Sequence, residues 1–390
     1  MMNTISLRNA NLVSRDREIE GASVLIEDGS IVEISAGGKQ FTADEVIDVS
    51  NASLYPGFID VHIHGAVGVD ANAADAEALH RVASFLAHNG VTAWLPTLVP
   101  DSEDNYRKAV GAVDELMRTE GEREPAARAL GVHYEGPFVS ERQCGALHTE
   151  FFKTFSGGDE LKSLPRSSGP GAVHMTTLAP EIEGGIQLVE ELTRQGWVVS
   201  IGHTRAPVDV LDRAQRAGAR HMTHFMNAMS PLHHREPGPV AWGLLNDRVG
   251  VDLIADGVHL DPLVLQLVLR CKTASRVSLI SDAVAPTGLG DGDFSIWGET
   301  IAVRDGRTRN ARGSIAGSVI TMLDAARRML SLGVPPWDVA RMASTNPARL
   351  LGVDQTCGSL EEGKRADLVA LDDKGNVRLT LIGGKIAFEK

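Results

Sequence analysis

Two histidines one residue apart close an apolar run in Asp60-Val61-His62-Ile63-His64. Read as a β-strand, period-2 geometry puts Asp60, His62 and His64 on one face, so two imidazoles converge on one space. Alone, such a pair is more often two ordinary polar side chains than a pair of metal ligands. The same kind of polar exception closes other apolar runs, however. Glu135 ends Gly131-Val132-His133-Tyr134-Glu135, His203 ends Val198-Val199-Ser200-Ile201-Gly202-His203, His224 ends His221-Met222-Thr223-His224, and Asp282 ends Val277-Ser278-Leu279-Ile280-Ser281-Asp282. Any one of them is best read as a satisfied polar residue at a strand end, but that reading fails for the set. Imidazoles and carboxylates without cysteine are the usual ligands of a catalytic zinc, or of iron and other borderline divalent metals, with a coordination position left for water.

The elements that must position these residues are short apolar strands separated by amphipathic helices, the grammar of a parallel sheet. Eight strands are predicted near residues 54–64, 92–99, 129–135, 173–179, 197–203, 220–226, 250–256 and 277–282, the count of a closed (β/α)8 barrel. The polar exceptions then fall at the C-terminal strand ends, where barrel enzymes carry their catalytic groups. Between strands, Asp75 to Asn89 reads as a helix with Leu79, Val82, Ala83 and Leu86 on one face and Gly90 as its stop. A Gly-rich, β-like excursion over 284–316 follows the eighth strand and should cover the barrel mouth, with helix resuming near Ser318. Residues 1–55 and 354–390 alternate short apolar runs with turn chemistry such as Asp28-Gly29. Each piece is too small to bury a core alone, so the two ends are expected to pair into one small β-sandwich domain beside a barrel over 56–353.

Composition narrows the partners. A formal charge of −13 disfavours nucleic acid and anionic membranes, both of which the average field would repel. Cys144, Cys271 and Cys357 are odd in number and lack CxxC spacing, which fits a reducing cytoplasm and neither a disulfide framework nor a thiolate zinc site. No secretory signal pattern opens the sequence and no apolar run approaches the ~18 residues that span a bilayer.

With these residues in view, the sequence resembles the amidohydrolase superfamily and, within it, the N-acetylglucosamine-6-phosphate deacetylases. The resemblance runs end to end. It rests on Pro56-Gly57-Phe58-Ile59-Asp60-Val61-His62-Ile63-His64-Gly65, Tyr134-Glu135-Gly136-Pro137-Phe138, Gly202-His203-Thr204 and Thr223-His224-Phe225-Met226-Asn227-Ala228-Met229. Further marks are His233-His234-Arg235-Glu236-Pro237-Gly238, Asp256-Gly257-Val258-His259, Ser281-Asp282-Ala283, Ala316-Gly317-Ser318 and Gly363-Lys364-Arg365-Ala366-Asp367-Leu368-Val369.

The resemblance implies that Glu135, His203 and His224 hold the main divalent metal and that His62 and His64 can build a second site sharing Glu135. Zinc is expected first, with iron, manganese and cobalt as alternatives. Asp282 matches the catalytic aspartate, and Asn227, Ala228, Arg235 and His259 match contacts to a phosphorylated amino-sugar substrate, some reaching it from the partner subunit of a homodimer. The family's Gly-Ala-His run is here Gly145-Ala146-Leu147-His148, so an inserted leucine shifts His148, its substrate-touching histidine, by one position. The implied reaction is hydrolysis of the N-acetyl group of N-acetylglucosamine 6-phosphate. Competing readings are the same chemistry on another N-acyl substrate such as N-acetylgalactosamine 6-phosphate, and a non-catalytic scaffold. His133 shares the inward face of Glu135 and suits a supporting role, whereas His221 reads as structural.

Overall fold

The computed structural model describes residues 4–390. Eight parallel strands succeed one another around a barrel: β1 (Phe58–Ile63), β2 (Val91–Leu98), β3 (Gly131–Glu135), β4 (Val173–Leu178), β5 (Val198–Ile201), β6 (His221–Met222), β7 (Gly250–Ile254) and β8 (Val277–Ile280). Each pairs in parallel with the next. The ring is drawn together between β8 and β1 by backbone bonds just past the strand ends. Asp282 N–H donates to the His62 carbonyl (2.9 Å) and His64 N–H to the Ala283 carbonyl (2.8 Å).

The alternation expected of strands sorts the core. Ile59, Val61, Ala93, Leu95, Met175, Val198, Ile254 and Ile280 form one buried cluster among the strands. Residues of opposite parity, such as Trp94, Tyr134, Val199, Leu253 and Leu279, join a larger cluster with the helix side chains. The helix expected after β1 spans Ala76–His88. Asp75 caps it by accepting from Ala78 N–H, Leu79, Val82, Ala83 and Leu86 are buried, and Gly90 follows at φ +78°.

Two predicted strands are shorter than the apolar pattern suggested. The run 54–64 divides at Gly57, where the chain leaves one sheet for another: Ala52–Pro56 belongs to the sheet of the chain ends, and only Phe58–Ile63 to the barrel. A side chain at Gly57 would meet Thr92 at 2.2 Å, so only glycine fits this crossing. The sixth strand, expected over 220–226, stops at Met222 because His224 (φ +32°) and Met226 (φ +75°) turn into left-handed backbone.

The chain ends form a single eight-stranded sheet. Leu368–Asp372 pairs antiparallel with Ala52–Pro56, and at the other edge Ser30 bridges Arg365, so the sandwich is one sheet folded over its own core of Leu7, Val24, Ile26, Leu54, Leu368 and Leu381. Asp28 (φ +46°) and Gly29 (φ +80°) make the tight hairpin turn that their identities predict. The excursion after β8 is a three-stranded antiparallel sheet, Gly292–Ile296, Glu299–Arg304 and Arg307–Arg309. Helix then resumes at Met322–Ser331 under a Thr321/Asp324 capping box, a few residues later than expected. Among the described residues no helix is long and apolar enough to cross a membrane.

Candidate metal centre

His62, Glu135, His203, His224 and Asp282, which the sequence scatters over 220 positions, converge with His64 at the C-terminal mouth of the barrel. His203 Nε2 and His224 Nε2 each lie 2.9 Å from Glu135 Oε1 and 3.1 Å from one another. His64 Nε2 lies 3.4 Å from Glu135 Oε2, and His62 Nε2 3.7 Å from Oε1. Asp282 Oδ1 sits 3.2 Å from His62 Nε2 and 3.3 Å from His64 Nε2, and those two nitrogens are 3.2 Å apart. All six side chains are buried.

Whether the set suits a metal follows from the outer nitrogens. His203 Nδ1 lies 2.7 Å from the Gln143 carbonyl and His64 Nδ1 3.1 Å from that of Thr97. A carbonyl only accepts, so each Nδ1 carries the hydrogen and a neutral ring presents its Nε2 lone pair to the cluster. Lone pairs aimed at one another and at a carboxylate repel unless a proton or a cation lies between them. Bonds of ~2.0–2.1 Å in a tetrahedral site place neighbouring ligand atoms ~3.3 Å apart, close to the spacings here. The residues fit a divalent ion.

Charge balance gives the same answer. Burial pushes the Glu135 carboxyl up, but hydrogen bonds from His203 and His224 hold it well below the usual carboxylate range. Asp282 is likewise lowered against burial by His62 and His64. Burial would lower His64, yet Asp282 and Glu135 raise it to about 9. Protons held on His64 and His224, both raised by the carboxylates, balance that charge in the metal-free protein, and a divalent cation would replace them.

Backbone strain and a polar layer fix the geometry. His203 (φ +47°), His224 (φ +32°) and Asp282 (φ +50°) all take left-handed backbone, which costs non-glycine residues ~1–3 kcal/mol each and turns the side chains off the strand ends into the mouth. Beneath them His133 joins Val61 O through Nδ1 (2.9 Å) and Thr177 Oγ1 through Nε2 (2.8 Å), its ring edge-on to His62. Burial holds His133 well below the usual histidine range, so it stays neutral. Asp60, fully buried, accepts from the hydroxyl of Ser281 (2.5 Å) and steadies the residue before Asp282.

A cavity of about 300 Å³ opens over this cluster, with Asn227, Ala228 and His259 in its wall. His259 Nδ1 is held by Asp256 Oδ2 (2.7 Å). Two predicted contacts are not brought there. The inserted Leu147 lines the cavity instead, while His148 lines a neighbouring cavity and faces Glu150 (3.2 Å) and Glu299 (3.7 Å). Arg235 lies on an exposed loop, its guanidinium 2.8 Å from His234 Nε2. Conversely, Trp297 was not singled out from the sequence. It sits at the tip of the hairpin from the excursion, edge-on to His64 with ring centroids 5.3 Å apart, and separates the two cavities. An aromatic in the turn Ile296-Trp297-Gly298 was the available signal.

A model of the amidohydrolase family matches residues 53–387. The chain belongs to the amidohydrolase family. Among relatives of this amidohydrolase, the N-acetylglucosamine-6-phosphate deacetylase of Bacillus subtilis (strain 168) is 35% identical, covering 100% of this chain and 98% of its own. The N-acetylgalactosamine-6-phosphate deacetylase of Escherichia coli O157:H7 is also 35% identical, over 98% of each. Of solved structures, the N-acetylglucosamine-6-phosphate deacetylase of Thermotoga maritima superposes with a TM-score of 0.87 at 32% identity, covering 99% of this chain and 100% of that one. A Mycobacterium smegmatis mutant enzyme in complex with N-acetyl-D-glucosamine-6-phosphate does so at 0.89 and 31%, over 99% of each.

Proposed function

We propose that this amidohydrolase removes the acetyl group of N-acetylglucosamine 6-phosphate, giving glucosamine 6-phosphate and acetate. The observation that carries the reading is that His64, His203, His224, Glu135 and Asp282 line one cavity with His62 packed behind them, in a chain whose full-length relatives bear that activity in their names. It weighs against a non-catalytic scaffold, for which nothing would preserve three strained backbone positions around one point.

Glu135, His203 and His224 are assigned the main divalent ion, zinc first and iron, manganese or cobalt as alternatives. His62 and His64 with Asp282 are assigned a second, Glu135 being close enough to serve both. A bound ion supplies a lowered pKa for water, towards ~7, and polarisation of the acetyl carbonyl. Asp282, ionised and facing the cavity, accepts the proton from the attacking water and returns it to the nitrogen of the departing amine, which leaves only once protonated. Asn227, Ala228 and His259 orient the sugar phosphate, and Trp297 closes the reacting end from the hairpin side.

Arg235 is assigned the phosphate from across a homodimer, since within its own chain it stands outside the cavity. Exposed leucines support such an interface: Leu232 on the same loop, Leu245 on the helix Gly238–Leu245, and Leu263 and Leu267 on the helix Pro262–Lys272. Three unpaired cysteines support a reducing, cytoplasmic setting.

The equal identity to a galactosamine-type deacetylase keeps that epimer as the second reading. The test is acetate release from both hexosamine phosphates after reconstitution with zinc, iron, manganese or cobalt. Turnover of the glucosamine-type substrate at least tenfold above its epimer is expected, and no release from either would refute the proposal.

A further inference from the structure

At the opposite end of the barrel, where the strands begin, lies a further cavity of about 370 Å³ that the proposed reaction does not use. Four arginines rim it: Arg220 before β6, Arg248 before β7, Arg276 before β8, and Arg349 on the helical segment Asn346–Leu351. All four are exposed, and among the described residues none pairs with a carboxylate; the Arg220 guanidinium donates to the Leu350 carbonyl (2.8 Å). Unpaired arginines also occur singly elsewhere on the surface, Arg81 and Arg213 among them; what sets these four apart is that they share one hollow with no acidic residue in its lining. In a protein with a formal charge of −13, four unneutralised guanidinium groups around one hollow are a local reversal of the field.

The floor of the cavity is polar and buried. His221 and Ser278, first and second residues of β6 and β8, are 3% and 2% exposed. His221 donates from Nε2 to Asp252 Oδ1 (2.6 Å), which directs its other ring nitrogen elsewhere. Neither His221 Nδ1 nor the Ser278 hydroxyl has a protein hydrogen-bond partner among the described residues, although both residues line the hollow. A side chain at Gly250 would lie 2.6 Å from His221 Nδ1, so glycine there leaves the nitrogen uncovered. Both residues line the hollow, so a ligand seated there can reach these two atoms.

We propose that this hollow is a binding site for a phosphate group, either inorganic phosphate or the phosphate end of a small ester. Planar guanidinium forks match phosphate oxygens, the Ser278 hydroxyl donates to a further oxygen, and His221 Nδ1 accepts from the P–OH of a hydrogen phosphate. Carboxylate ligands meet the same arginines but carry no such donor when ionised.

The experiment is a calorimetric titration of the metal-loaded protein with inorganic phosphate and, separately, methyl phosphate. Saturable binding at one site per chain is expected, weakened about tenfold by Arg276→Ala and again by Arg349→Ala, and retained in Arg235→Ala, which alters only the proposed substrate site. Tighter binding of methyl phosphate would assign the site to an ester and tighter inorganic phosphate to the free ion. Because both arginines are exposed, melting without phosphate should match wild type and so control for folding. Phosphate binding that is undiminished in the double variant, or lost in Arg235→Ala, would overturn the proposal.

Discussion

Replacing Asp282 by asparagine isolates the proton transfer from everything else the centre does. Asparagine keeps the shape, leaves an oxygen facing His62 and His64, and tolerates the left-handed backbone at φ +50°, which alanine would occupy only under strain. Glu135, His203 and His224, 2.9–3.1 Å from one another, are untouched, so the main ion should remain. What is lost is the carboxylate proposed to take a proton from water and give it to the amine. Positioned acid–base groups contribute ~10²–10⁴-fold, or ~3–5 kcal/mol of barrier. We expect a fall in kcat of about 10³-fold, the middle of that range. The assay is enzymatic detection of released acetate, run beside elemental analysis of the same sample. A variant that keeps its metal and turns over within tenfold of wild type would refute the role of Asp282.

Metal-free protein should lose stability on the alkaline side. Against burial, Asp282 and Glu135 raise buried His64 from 6.5 to about 9, so its contribution is complete below pH 6.5 and disappears as pH rises through about 9. Thermal melting of chelator-stripped protein should fall over that window relative to metal-loaded protein, in which the ring is unprotonated throughout; parallel profiles would contradict this. His259→Ala should lower kcat/KM about tenfold or more by removing a donor to a charged group, while His148→Ala should stay within a few-fold, since its ring faces Glu150 outside the cavity. Steady-state kinetics of the two variants would expose the reverse order. Leu245→Glu with Leu263→Glu should yield monomers by light scattering, with KM for the phosphorylated substrate raised tenfold or more if Arg235 acts across subunits. Monomers with unchanged KM would remove Arg235 from the site.

The barrel and the residues that converge at its mouth were legible because both are written locally. Strand parity and helix period can be read in windows of ten residues, and His62, Glu135, His203, His224 and Asp282 each stand where an apolar run stops. The same local reading overran the sixth strand by four residues, because the turn at His224 is imposed by the packing around the cluster and has no glycine to announce it.

The sequence by itself therefore determined the class of the fold and singled out the imidazoles and carboxylates, Asp282 among them, that the structure gathers at one point. Tertiary structure alone decided which nitrogens face inward, because the hydrogen-bond acceptors that orient His203 and His64 are the backbone carbonyls of Gln143 and Thr97, groups every residue carries and no side-chain identity reveals. It also decided that Leu147 and Trp297 wall the cavity while His148 does not. Those positions depend on how a loop and a hairpin, far apart in the chain, settle over the barrel mouth. Such long-range placement is set by packing over the whole molecule, which local period and propensity do not encode.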